Sequence, residues 1–182
     1  MKNLVIFIFS ILVVFLQLSA TGVFFSFTRI PDLTLAYVLA LVLAFGFKDT
    51  YKWILIVGIL IDAGSRVLLG TTALALFVVA LVVSWIADVA ELRSRKTFFL
   101  AVIAFLVAFS EIVKDLVLVV VSKIQERYLA VQTGVVINFF SIDYILKIVY
   151  TILAAYVIYY ILRRMSRSLF WEPKKLAKSK FS

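Results

Sequence analysis

A chain of 182 residues is long enough for one or two soluble domains, yet 65% of it is apolar and 16% charged, against roughly 45 to 50% apolar in soluble domains, which excludes an ordinary soluble protein. Lys and Arg outnumber Asp and Glu by 19 to 10, and the chain has no Cys and no His; this excludes disulfides, thiolate nucleophiles, histidine bases and the commonest zinc and haem ligands. At roughly 20 residues per bilayer crossing the apolar content suffices for about six transmembrane helices, so the expected fold is an all-α, six-helix transmembrane bundle.

Only helices satisfy their own backbone within hydrocarbon, so the spans are found by cutting the chain at its charges and at Gly, Pro, Asn and Ser. The first span covers 4–21. Lys2, the apolar run behind it and Leu18-Ser19-Ala20 also fit a cleavable signal peptide, but apolar character continues through Val23, Phe24 and Phe25, and an uncleaved helix is the simpler expectation. Phe24, Phe25 and Phe27 then form an aromatic segment suited to interfacial anchoring or to holding the juxtamembrane part of a partner. The second span covers 33–47, the third 53–69 and the fourth 71–87. Leu69-Gly70-Thr71-Thr72 is so short a link that the third and fourth helices must be antiparallel neighbours, with Gly70 supplying a positive φ and Thr71 or Thr72 the N-cap. The fifth span covers 97–121 and the sixth 135–162.

Cytoplasmic loops carry the excess of Lys and Arg. Residues 2, 48, 52, 93, 95, 96 and the tail beyond 162 place 13 of them on one side, whereas Arg29, Lys123 and Arg127 place 3 on the other. Both termini are therefore expected in the cytoplasm, with residues 1–162 forming the transmembrane domain and 163–182 a basic cytoplasmic tail. Seven Lys and Arg, with Phe170, Trp171 and Phe181 between them, suit that tail to anionic lipid at about 1 kcal/mol per basic residue. An acidic cytoplasmic partner is the other reading, and nucleic acid is not expected.

Seven ionisable residues fall inside the spans: Asp62, Arg66, Glu111, Lys114, Asp115, Asp143 and Lys147. Asp62 and Arg66, and likewise Asp143 and Lys147, are four apart; Glu111 and Lys114 are three apart, so pairing within each helix is available. Their depths overlap in the middle to outer half of the membrane, which predicts a polar centre shared by the third, fifth and sixth helices. Glu111, Asp115, Ser122 and Glu126 repeat at helical spacing as one stripe, fitted to a structural network, a ligand or proton path, or a partner helix. No Ser-His, Cys-His or metal-ligand set occurs, so no catalytic residue, cofactor or metal is expected; an enzyme here would rest on carboxylates, Lys and Tyr alone.

Pro31-Asp32-Leu33, Gly46-Phe47, Gly58-Ile59-Leu60-Ile61-Asp62 and Leu69-Gly70-Thr71-Thr72-Ala73-Leu74, in that order and spacing, resemble the MreD family of the bacterial rod-shape and cell-wall elongation system. The motif residues are Pro31, Asp32, Gly58, Asp62 and Gly70, and the resemblance covers about a third of the chain, from Pro31 to Trp85. It implies a non-enzymatic, multi-pass scaffold of the bacterial cytoplasmic (inner) membrane that acts in peptidoglycan synthesis. Its implied partners are an MreC-like single-pass protein, met through Phe24, Phe25 and Phe27, an MreB-like filament and wall synthases; a homodimer stays open. The family's fold resembles the substrate-binding subunits of energy-coupling-factor vitamin transporters, the alternative function. Such subunits dock through small residues spaced by four on the first helix, where this chain has the bulky run Ile6-Phe7-Ile8-Phe9-Ser10-Ile11-Leu12.

Overall fold

The computed structural model describes residues 2–23, 30–64, 69–89, 99–129 and 142–169. They form six helices and, among the described residues, no strand: α1 (Lys2–Val23), α2 (Leu33–Phe45), α3 (Phe47–Gly64), α4 (Thr71–Val89), α5 (Phe99–Leu129) and α6 (Ile142–Leu169). The protein is all-α. Among the described residues two helices contain stretches long and apolar enough to cross a membrane, Asn3–Ala20 and Ile142–Met165, while Leu33–Phe45 and Thr71–Ala87 are apolar but shorter.

Three boundaries differ from the sequence expectation. Lys48, Asp49 and Lys52 do not separate two helices; α3 begins directly after Gly46, so these charges form its first turns. Asp49 lies in the first turn, where the helix dipole favours an acid. α5 runs on to Leu129, and Lys123, past the apolar run, is exposed. α6, described from Ile142, continues through Arg163 and Arg164 to Leu169, so the first part of the expected tail is helical; residues 130–141 and 170–182 lie outside the described residues.

α2 is the axis of the bundle. It packs against all five other helices, while α1, α3, α4, α5 and α6 adjoin one another in that order around it. Every residue of α2 from Thr34 to Val42 is buried. The outer helices turn large apolar side chains outward, among them Phe15, Ile59, Trp85, Leu116 and Leu153, while Ser10, Asp32, Asp62, Glu111, Lys114, Asp115 and Thr151 are buried. That inversion of polarity suits an apolar surrounding.

Small residues set the tightest approach. A Cβ on Gly58 would fall 2.3 Å from the Ala73 Cα, so α3 and α4 meet backbone to backbone. A Cβ on Gly64 would have the Leu18 side chain as its nearest neighbour, Cδ1 at 2.5 Å, the far end of a side chain that can turn aside. Gly70 has φ +95°, the positive angle expected of the turn, and Gly46 has φ +86°, which lets one residue connect α2 to α3. Gly58→Ala is therefore expected to lower the thermal midpoint in detergent well beyond Gly64→Ala; equal effects would show that the α3–α4 contact does not control stability.

Candidate functional site

Asp32 precedes α2 and caps it. Its Oδ1 accepts from the Leu35 N–H at 2.9 Å and the Thr34 hydroxyl at 2.6 Å, which serves a helix N-terminus that burial keeps from water. The Lys114 ammonium on α5 donates to Asp32 Oδ2 and also lies 3.3 Å from Glu111 Oε2. Lys147 on α6 reaches the same Glu111 oxygen at 3.1 Å. The four side chains thus form an alternating series of acid, base, acid and base across three helices.

Neutral groups complete the series. The Asp32 N–H donates to the Thr151 hydroxyl at 3.0 Å, and that hydroxyl donates to the Lys147 carbonyl at 2.8 Å. Gln17 on α1 accepts from the Leu33 N–H at 2.9 Å. The Tyr144 hydroxyl donates to Asp115 Oδ2 at 3.1 Å, and the Lys147 ammonium lies 5.6 Å from the centre of the Tyr144 ring, within cation–π range. Glu111 is 0% exposed in its side chain and Lys147 22%, so Lys147 marks the more open end. The Ser110 hydroxyl is buried and has no hydrogen-bond partner among the described residues.

Asp62 serves a second helix start. Its carboxylate accepts the backbone N–H groups of Gly70 at 2.8 Å, Thr72 at 3.1 Å and Ala73 at 3.4 Å. A side chain near the end of α3 therefore caps α4, a role the sequence reading gave to Thr71 or Thr72. A negative charge there also meets the positive end of the α4 dipole.

The sequence reading anticipated the Glu111–Lys114 pair and the meeting of α5 with α6. It placed α3 in the shared centre; among the described residues the third contributor is the start of α2, and Asp62 bonds the start of α4. Asp143 lies in the first turn of α6, half-buried, and Lys147 turns to Glu111. Arg66, Phe24, Phe25 and Phe27 lie outside the described residues, as do the side chains of Ser122 and Glu126. Sequence reasoning missed Asp32 as an ion-pair partner, Tyr144, Thr151 and Gln17. Two signals were present: an acid directly before an apolar run marks an N-cap, and Tyr144, Lys147 and Thr151 form one helical stripe.

Among the described residues no group of three or more carboxylates is placed to hold a metal ion. No family model, curated protein or solved structure matches the chain.

A single charge left in the hydrocarbon costs about 3 kcal/mol on insertion scales, and breaking one side of a buried pair costs about 3 to 5 kcal/mol. Lys114→Met should therefore lower the detergent melting temperature sharply, and Lys114→Met with Asp32→Asn should recover much of the loss; absence of recovery would show that the two residues act separately. Asp62→Ala leaves three backbone N–H groups without their acceptor, each worth about 1 to 3 kcal/mol when buried. Its melting temperature is expected to fall further than that of Asp62→Asn, which keeps one carbonyl acceptor.

Proposed function

We propose that the protein is a non-enzymatic scaffold of the MreD kind: a multi-pass bundle of six spans in the bacterial cytoplasmic membrane, with both termini inside. It acts in cell-wall elongation by holding an MreC-like single-pass partner. The observation that carries this reading is the use made of the resemblance residues. Asp32 caps α2 and binds Lys114; Gly58 lets α3 meet α4; Asp62 caps α4; Gly70 makes the turn between them. Four residues shared with a scaffold family thus join helices rather than line a reaction centre.

The outer face of α1 supports the same choice over a transporter subunit. Leu4, Phe7, Ile8, Ile11, Leu12, Phe15 and Leu16 are exposed along it, a bulky face where close docking of an energising partner calls for small residues. At the opposite end of the chain, Arg163 donates to the Tyr159 hydroxyl at 3.1 Å, which fixes the first base of the region read as facing anionic lipid.

Because the chain has no Cys, single thiols report orientation cleanly. Of Ser26→Cys, Ser94→Cys and Ser166→Cys, only the first should react with an impermeant maleimide on intact cells; labelling at Ser166→Cys from outside would reverse the topology. Replacing Phe24, Phe25 and Phe27 with Ser should reduce co-purification of a single-pass coiled-coil protein far more than it reduces membrane levels of this protein. Recovery of a pair of ATPases with their membrane coupler would instead support the transporter reading.

A further inference from the structure

We propose that α5 cannot enter a membrane alone and crosses only as a pair with α6, so that the order of assembly is set by the charges of the bundle. The proposal rests on the membrane reading above and goes beyond it.

α5 carries Glu111, Lys114 and Asp115 within five positions. The apolar stretches on either side, 99–110 and 116–121, are both short of the roughly 20 residues that a crossing needs. Any crossing segment drawn from α5 therefore takes all three charges into hydrocarbon. α6, in contrast, contains a stretch long and apolar enough, by length and composition, to cross.

The groups that satisfy those charges come largely from other helices. The two carboxylates in the middle of α5 depend on α6: Glu111 accepts from Lys147 at 3.1 Å, and Asp115 accepts from Tyr144 at 3.1 Å. Lys114 binds Asp32 at the head of α2. Within α5, Glu111 lies 3.3 Å from Lys114. Synthesis runs from the N-terminus, so Asp32 is in place when α5 emerges, while Lys147 and Tyr144 are not yet made. α5 then has an anion for its ammonium but no donor from α6 for its carboxylates. Entry becomes favourable when α6 arrives. The hairpin then docks on α2, where Asp32 offers its carboxylate to Lys114 and its N–H to Thr151.

The test uses the full chain with Thr133→Cys as its single thiol, in the connection between α5 and α6. Intact cells are treated with an impermeant maleimide, and label is measured per amount of protein in the membrane fraction. Thr133→Cys alone should label. Adding Lys147→Ala and Tyr144→Phe should abolish that labelling, while Ser26→Cys in the same background still labels. Further adding Glu111→Gln and Asp115→Asn, which leaves the Lys114–Asp32 pair intact, should restore it. Undiminished labelling in the Lys147→Ala, Tyr144→Phe chain would overturn the dependence, and so would failure of the neutral α5 to recover. Loss of labelling at both Ser26→Cys and Thr133→Cys in the otherwise native chain is a different failure: it removes the membrane orientation, and the proposal with it.

Discussion

The buried start of α2 is the constraint from which the rest of the interior follows. α2 has 13 residues, about 20 Å of helix, against the roughly 30 Å of a hydrocarbon layer. Its first N–H groups lie beside Thr151, nine residues into α6 and so about 14 Å along it. Helix-start N–H groups that cannot reach water need an acceptor, and Asp32 supplies it. A buried carboxylate then needs a cation, which Lys114 provides. Lys114 brings Glu111 beside it, and Glu111, wholly buried, draws in Lys147. One short helix thus requires a chain of charges that ties α2, α5 and α6 together.

The α3–α4 pair solves the same problem with a different reach. Asp62 stands eight residues before Gly70 in sequence, yet its carboxylate meets the first N–H groups of the next helix. This geometry requires the two helices to lie close, which Gly58 against Ala73 permits. It also requires the connecting chain to reverse, which Gly70 at positive φ permits. The motif residues on α3 and its following turn are therefore interdependent: a bulky residue at position 58 would draw Asp62 away from the backbone it caps.

The elements that sequence made legible were those whose signal is local. Six helices and their order followed from apolar runs, the antiparallel α3–α4 pair from a four-residue link, and the positive angle of Gly70 from the turn it must make. The Glu111–Lys114 pair followed from a spacing of three. The centrality of α2 was not legible, because apolar periodicity distinguishes buried from exposed faces only when the outside is water. With lipid outside, a helix apolar all round reads the same whether five helices or acyl chains surround it. The Asp32–Lys114 pair joins residues 82 apart in sequence, and the spacing rules for charges on one helix do not extend that far. The capping role of Asp62 was not legible for a related reason: charge spacing points a buried carboxylate to a cation, whereas several N–H groups at a helix dipole serve it as well and leave no spacing signal.

These ties are uneven, and the unevenness divides the bundle. α2, α5 and α6 are joined by ion pairs, so sliding one of them separates buried opposite charges. α3 and α4 are joined by a carboxylate and a close backbone contact. α1 is held by apolar packing and by neutral bonds: Gln17 to Leu33, and Ser10 with Tyr37, whose hydroxyls lie 2.9 Å apart and both reach the Ile6 carbonyl. Neutral hydrogen bonds of this kind contribute about 1 kcal/mol each, less than separation of a buried ion pair costs. α1 is consequently the helix that can shift with least disturbance of the charge network, while α2, α5 and α6 behave as one unit. A bundle arranged in this way ties its charged centre together across three helices and leaves the neutral bonds to α1, whose outer face exposes Phe7, Ile11 and Phe15.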